Sequence, residues 1–339
     1  MPSQRPRPVT ITDVATRAGV SIATASKAIN GRAQVRAETR ERVLQAAEEL
    51  GFRPNAIARS LLSGQSRMVG LLTSDSVGRF GIPVMFGAED AFGVGEMAVL
   101  LCDARGDSIR EQHHLRTLLS HRVDGLIVVG QSTDPRPSLS RGLPVPVVYA
   151  YAPSEDPDDV SFVPDDVGGA RLAVEHLLAL GRRRIAHITG PVHYQAARDR
   201  AAGVRAALED AGLTLCGQAW HGAWSQRWGR QAAEMVFRTD PEPDAVVCGN
   251  DQIAAGFIDA ARERGRRVPD DVAVVGYDNW EVLATESRPP LTTVDMNLES
   301  LGRTAAQQLF AAIDGGATPG VHRMPCRLVV RDSTAPAPA

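Results

Sequence analysis

The sequence predicts an α/β protein in two unlike parts: an N-terminal all-α helix-turn-helix head, then a larger body of doubly wound parallel sheets. Three observations predict this. Two short helical segments flank a glycine turn near the N-terminus. From Met68 onward, short apolar runs alternate with amphipathic helical stretches, the pattern of repeated βα units. The charge also divides unevenly. Residues 1–67 carry eleven basic and five acidic side chains, net +6, which leaves −9 for the rest of the 339-residue chain. A basic head on an acidic body fits a nucleic-acid-binding end, although a solvated basic face without a partner would show the same balance.

In the head, Asp13-Val14-Ala15-Thr16-Arg17-Ala18-Gly19 precedes Val20-Ser21-Ile22-Ala23-Thr24-Ala25-Ser26-Lys27-Ala28-Ile29-Asn30. Two helices joined by a glycine turn form the motif that places its second helix in the DNA major groove. Ser21 is a good N-cap, and Ile22, Ala25 and Ile29 recur at helical spacing, so they are expected to face the head core. A third helix is expected from Glu38 to Leu50, with Val43, Leu44, Ala47 and Leu50 on one face and Gly51 as its stop. Pro54 then breaks the helical pattern. Asn55 can cap a short helix from Ala56 to Leu62, and Ser63-Gly64-Gln65-Ser66 reads as a linker.

In the body, strands are expected at Val69–Leu72, Val99–Leu101, Gly125–Val129, Val145–Tyr149, Ile185–Ile188, Ala245–Val247 and Val272–Val275. Helices are expected at Ile109–Leu119, Gly169–Leu180, Arg200–Ala211 and Ile253–Arg264. More than 250 residues of this pattern suit two lobes better than one. Ligands of open α/β sheets bind beyond the carboxyl ends of the strands. The residues there are Ser74, Asp75, Asp103, Gln131, Tyr151, Asn250, Asp251, Asp278 and Asn279, joined by Arg200 after the Gly190-Pro191 loop and by Trp224. Carboxylates and amides pair with hydroxyls, and aromatic faces cover the apolar face of a sugar ring, so the set suits a polyhydroxylated ligand. Asp251 would equally serve as the N-cap of a helix beginning near Gln252, and Asp278-Asn279 as a turn.

Enzyme signatures are missing: no G-x-x-x-x-G-K-[ST], no H-E-x-x-H and no G-x-S-x-G occurs. Gly93-Val94-Gly95-Glu96-Met97-Ala98 matches a loose dinucleotide pattern but precedes a strand instead of following one. His113-His114 lies on a polar helical stretch and reads as surface. Cys102, Cys216, Cys248 and Cys326 are scattered without metal spacing, as expected of buried thiols in a reducing cytosol. No cofactor and no metal are expected. The polar, Pro/Arg-rich start is unlike a signal peptide, and no apolar run approaches the ~20 residues of a membrane span, so a cytoplasmic protein without membrane contact is expected.

These motifs together resemble the lactose-repressor (LacI/GalR-type) family of bacterial transcription regulators over essentially the whole chain. The resemblance is carried by Val9-Thr10-Ile11-Thr12-Asp13-Val14-Ala15 through Asn30-Gly31, and by Thr39-Arg40-Glu41-Arg42-Val43 to Gly51-Phe52-Arg53-Pro54-Asn55-Ala56-Ile57-Ala58-Arg59-Ser60-Leu61. In the body it rests on Arg122-Val123-Asp124-Gly125, Gly190-Pro191, Gly249-Asn250-Asp251, Val268-Pro269-Asp270-Asp271-Val272, Gly276-Tyr277-Asp278-Asn279 and Pro290-Leu291-Thr292-Thr293-Val294.

The resemblance implies a body of the periplasmic-binding-protein type whose chain crosses between lobes three times, near Pro164, Thr293 and Met324. The implied divisions are a head at 1–54, a hinge helix and linker at 55–66, a first lobe of 67–163 plus 294–323, a second lobe of 164–293 plus 324–334, and a disordered tail at 335–339. It implies base contacts from Ile22, Ala23 and Lys27, and phosphate contacts from Thr10, Ser21, Thr24, Ser26 and Asn30. Thr12, Asn55 and Ala58 are further DNA-binding candidates. Leu61 matches a leucine that wedges into the minor groove and kinks the duplex. The hinge is too short to be a stable helix alone, so it is expected to fold only when two copies pair on DNA.

In the cleft, Arg200, Asn250 and Asp278 match polar effector contacts, and Phe80 and Trp224 aromatic ones, beside Ser74, Asp75, Gln131 and Tyr151. Two features depart from the family. Ile22 and Ala23 cannot make bidentate hydrogen bonds, which leaves direct readout to Lys27 and to methyl contacts. Tyr151 stands where some members have aspartate. The end of the chain has no leucine heptad, so a homodimer on a pseudo-palindromic operator is expected, with a sugar-like effector controlling repression of carbohydrate-utilisation genes. The rival readings are a sugar-metabolising enzyme with a DNA-binding head, an exported sugar-binding protein, and an activator or global regulator of the same family.

Overall fold

A computed structural model describes residues 9–29, 35–52, 66–75, 78–93, 97–239, 242–313 and 315–334. The chain divides into two compact units, residues 1–66 and 67–339. Asn30, Asn55, Ala58 and Leu61, with the whole expected hinge helix, lie outside the described residues.

Among the described residues, the first unit holds three helices, α1 (Ile11–Ala18), α2 (Ile22–Ile29) and α3 (Ala37–Glu49). Thr10 caps α1: its N–H and its hydroxyl both donate to the Asp13 carboxylate, at 2.8 and 2.7 Å. Gly19 ends α1 at φ +65°, a left-handed conformation that glycine adopts without steric cost. Ser21 opens α2 by accepting from Thr24 N–H at 3.1 Å. The core is small and alanine-rich: Val14, Ala15, Ala18, Ala25, Ala28, Val43 and Ala46. Two expected core residues are absent from it. Ile22 is 50% exposed and Leu44 46%. Ala25 and Ala28 of α2 share this core with Val43 and Ala46 of α3, while Ile22 and Leu44 turn outward.

Among the described residues, the second unit contains two six-stranded sheets. Strands β1 (Met68–Thr73), β2 (Ala98–Asp103), β3 (Gly125–Val129), β4 (Val147–Ala150), β5 (Val160–Pro164) and β11 (Gly320–Met324) form the first, in the order β11-β5-β4-β3-β1-β2 and parallel throughout. The second has the order β12-β10-β9-β8-β6-β7, from β6 (Ile185–Thr189), β7 (Ala219–His221), β8 (Ala245–Cys248), β9 (Ala273–Tyr277), β10 (Thr292–Asp295) and β12 (Arg327–Val329). Only β12 runs antiparallel, to β10. Central strands are buried on both faces, as parallel sheets covered by helices require.

Helices α4 (Gly81–Phe92), α5 (Ser108–Ser120) and α11 (Leu298–Ile313) cover the first sheet. The second is covered by α6 (Asp166–Ala179), α7 (Gln195–Asp210), α8 (Gln226–Val236) and α9 (Asp251–Glu263), with a short α10 (Glu281–Ala284) at its rim. The chain passes between lobes after Pro164, at Met296–Asn297 and at Pro325–Cys326. Three expected boundaries therefore shift. Pro164 and Met324 pair with each other at the end of the first sheet, whereas Val294 and Asp295 belong to the second. Each strand keeps its ladder partners to its end, and the crossing falls in the next unpaired residues. Val145 lies outside β4, and the thiols of Cys102 and Cys326 are half-buried instead of buried.

Candidate functional site: an interlobe cleft and an exposed helix face

On α2, the side chains of Ser21, Ile22, Ala23 and Lys27 are exposed, and those of Thr24 and Ser26 half-buried; Thr12 is exposed on α1 and Thr10 half-buried. Ser21 and Thr24 share a hydroxyl–hydroxyl contact of 2.8 Å. The opposite face of α2 is the alanine pair of the head core. The helix is thus held by its small side while an isoleucine and a lysine stand in solvent. Ile22 and Lys27 thus lie on the face of α2 away from the head core.

Between the lobes of the body lies a cavity of about 160 Å³. From the first lobe it is lined by Arg79, Phe80, Gln131, Ser132, Thr133 and Tyr151, and from the second by Tyr194, Ala196, Arg200, Trp224, Asn250 and Asp278. Seven of the nine residues expected there are thereby brought together. Ser74 and Asp75 are the exceptions. The Asp75 carboxylate turns away to accept from the N–H groups of Phe80 and Gly81, at 2.5 and 3.1 Å, and so caps the start of α4. Ser74 bonds through its backbone to Val129.

Aromatic rings form both walls. Phe80 and Tyr151 stack with centroids 4.4 Å apart, and Tyr194 meets Trp224 edge to face at 6.2 Å. Trp224 occupies the space beside Gly190, where a Cβ would fall 2.1–2.4 Å from indole atoms; glycine is required there for the ring to reach the cleft. Burial pushes the Tyr151 hydroxyl well above the usual tyrosine range, so it stays protonated. The Thr133 hydroxyl oxygen is buried and has no hydrogen-bond partner within the protein.

Arg200 is 3% exposed and almost fully committed within the protein. Its Nε donates to Asp166 at 2.8 Å, its Nη1 to Gly249 O at 2.5 Å and to Asp278 at 3.3 Å, and its Nη2 meets Met296 Sδ at 3.6 Å. The guanidinium lies 3.7 Å from the centroid of Tyr277, whose hydroxyl contacts Cys326 Sγ at 3.5 Å. Burial opposes the charge, but Asp166 and its neighbours outweigh that and raise the pKa. Arg200 thus touches Asp166 beside the first crossing and Met296 at the second, and reaches Cys326 at the third through Tyr277.

Asn250 is the N-cap of α9, accepting from Ile253 N–H at 2.9 Å, so the alternative cap role considered for Asp251 belongs to its neighbour. Asp251 instead buttresses the loop after β9. Its carboxylate accepts from the Thr293 hydroxyl at 2.5 Å and from Trp280 N–H at 2.7 Å, and burial pushes its pKa up to about 7. On that loop Asp278 and Asn279 have φ of +100° and +50°, and Tyr151 across the cleft +71°. Such backbone is rare outside glycine, costs of order 1–3 kcal/mol each, and collects at ligand clamps.

Five lining residues escaped the sequence reading, Arg79 and Tyr194 first among them, with Ser132, Thr133 and Ala196. Arg79 forms an ion pair with Asp278 across the lobes and lies over the rings of Trp280 and Phe80, at 4.8 and 5.2 Å. Tyr194 caps the start of α7 from a loop. A lone arginine inside the apolar run Gly78-Arg79-Phe80-Gly81-Ile82-Pro83 was the available signal for the first; nothing marked the second. Among the described residues no group of His, Cys, Asp and Glu is placed to hold a metal ion, and no helix is long and apolar enough to cross a membrane.

Comparison with known proteins places this architecture. A family model described as "Bacterial regulatory proteins, lacI family" matches residues 10–55, and one described as a periplasmic binding protein-like domain matches residues 174–334. The transcriptional regulator CelR of Thermobifida fusca is 36% identical over 342 residues, covering 97% of this chain and 99% of its own. The chain belongs to the lacI family of bacterial regulatory proteins. Catabolite control protein A of Priestia megaterium is 32% identical over 96% of this chain and 99% of its own. The lac repressor dimer solved with operator and the anti-inducer ONPF superposes with a TM-score of 0.76 at 31% identity, covering 97% of this chain and 99% of that one. A CelR–cellobiose complex gives 0.64 at 31%, covering 96% and 99%. This lacI-family chain is a DNA-binding transcriptional regulator and not an enzyme.

Proposed function

We propose that this regulator represses carbohydrate-utilisation genes as a homodimer on a pseudo-palindromic operator, and that a small sugar-like effector in the interlobe cleft sets its operator affinity. The observation that carries the reading is the cleft itself. Aromatic faces from both lobes enclose Asp278 and Asn250, a combination that covers a sugar ring and pairs its hydroxyls. Related proteins have been solved with cellobiose and with the anti-inducer ONPF, which supports a saccharide-type ligand. Two heads are needed to read two half-sites, which supports the dimer. An operator-bound regulator acts in the cytoplasm, on the nucleoid.

In this account Thr10, Thr12, Ser21, Thr24, Ser26 and Asn30 hold phosphates, while Ile22, Ala23 and Lys27 face the bases. Asn55, Ala58 and Leu61 belong to the hinge, where Leu61 supplies the wedge. The effector favours one arrangement of the lobes, and Arg200, in touch with the crossings, transmits the choice. Only differential affinity for two arrangements can shift the balance; a 100-fold change in operator affinity requires roughly 2.7 kcal/mol of coupling. A thermal-shift screen of saccharides, followed by operator binding with each hit, tests the reading and gives the sign of the effect. Hits that leave operator affinity unchanged would sink it.

A further inference from the structure

We propose that the cleft is a two-compartment site for a neutral saccharide of two or more rings, with Arg79 as its movable divider and Trp280 as the platform for the second ring. The inference rests on the reading of the cleft as the effector site. A second cavity, of about 330 Å³, adjoins the first and shares Arg79, Phe80 and Asp278 with it as a common wall. Small-molecule sites span ~300–1,000 Å³; the first compartment alone falls below that range, and the two together lie within it.

The divider is one side chain. Arg79 reaches from the first lobe to Asp278 and rests on the Trp280 ring, yet its Nε is buried with no hydrogen-bond partner. A buried donor left unpaired costs free energy, so the closed position is not a fully satisfied one. An arginine has the rotamer freedom to leave it. When it does, the ring face it covers is released beside Asp278, and the two cavities become one. The backbone around the second compartment is also unusual: Asp278, Asn279 and Asn297 all line it with positive φ, as in ligand clamps.

The lining sets the ligand's charge. Glu281, Asp295 and Glu299 face the compartment, and its Arg327 is already bound to Asp295 at 2.8 Å. Carboxylates accept from hydroxyls and repel phosphate, which selects a neutral sugar.

Calorimetric titration of the full-length protein tests this, with glucose, galactose and xylose against cellobiose, lactose, maltose and xylobiose. Wild type is compared with Trp280→Ala, Trp280→Phe and Trp224→Ala. At least one disaccharide should bind tenfold or more tightly than its constituent monosaccharides. Trp280→Ala should erase that margin, and Trp280→Phe should retain most of it. A monosaccharide that binds as well as any disaccharide, or a disaccharide margin that survives Trp280→Ala, overturns the second compartment. If that binding is still lost in Trp224→Ala, the effector reading stands without it. Absence of binding to every sugar overturns both.

Discussion

Arg79, on the loop after β1 in the first lobe, pairs with Asp278, at the end of β9 in the second, so an ion pair spans the cleft. Arg200 reaches the same carboxylate from behind, at 3.3 Å. Asp278 is thereby the acceptor on which both lobes converge, and any ligand that uses it must replace Arg79 or share it. A second tie between the lobes, Gln195 N–H to Asp134 at 2.8 Å, lies at the other side of the same opening.

Asp278→Ala should therefore lower effector affinity at least tenfold, since hydrogen bonds to a charged group contribute ~1.5–3 kcal/mol. The helix-turn-helix head should still recognise operator. Calorimetry with the effector and a gel-shift assay without it check the two halves. Unchanged effector affinity would remove Asp278 from the site.

Arg200→Ala should behave differently, because it leaves the Asp166 carboxylate, 2% exposed, without its cation. Breaking a buried pair by removing one partner costs about 3–5 kcal/mol. Denaturant unfolding should show that loss, and adding Asp166→Asn should recover much of it. A single variant as stable as wild type would contradict the pairing. Loss of effector response in Arg200→Ala alone is thus no evidence of a ligand contact.

Much of this was legible in the sequence. The apolar runs marked the central strands, since parallel strands buried on both faces leave a continuous hydrophobic signal. Residues past those strands gave most of the cleft. The misses have physical causes. α4, expected nowhere, carries glycines and a proline, but Pro83 sits in its first turn, where no intrahelical N–H is needed. Edge strand β11 alternates half-buried and exposed side chains, and β12 has only three residues, none of them buried, which blurs their apolar pattern. Ile22 satisfied the helical period yet is 50% exposed, because Ala25, Ala28 and Ile29 form the side of α2 that packs on the head core. Arg79 matters through a partner 199 residues away, which no local pattern records.

His187, fully buried in β6, should give the body an acid-sensitive component. Its Nδ1–H donates to Val247 O at 2.9 Å, its Nε2 has no partner, and burial lowers its pKa from 6.5 to about 4. With the folded pKa depressed, the stability is fully present above pH 6.5 and is lost as pH falls through 4, on the order of 3 kcal/mol. Asp251, pushed up to about 7, works in the opposite sense: its stabilising share is lost as pH rises from 4 through 7. The measurement is therefore a difference. Unfolding free energies of wild type and His187→Leu between pH 7 and 4 should converge toward acid, and parallel curves would contradict the assignment.

Lys27, the only lysine in the chain, stands on the exposed face of α2. Lys27→Ala should cost about 1–3 kcal/mol and relax preference at one position of each half-site. Selections from random duplex DNA with both proteins decide this. Identical recovered motifs with a uniform loss of affinity would make Lys27 a phosphate contact.

A saccharide held in the cleft should control operator binding by the head. This control is tested most directly by operator affinity measured during a saccharide titration of the full-length protein, wild type beside Trp224→Ala, on a duplex selected by the wild type. A saccharide should shift wild-type affinity by about 100-fold, roughly 2.7 kcal/mol. In Trp224→Ala the shift should vanish while affinity without saccharide stays as in wild type. A shift that persists undiminished in the variant would place control outside the cleft and contradict the account.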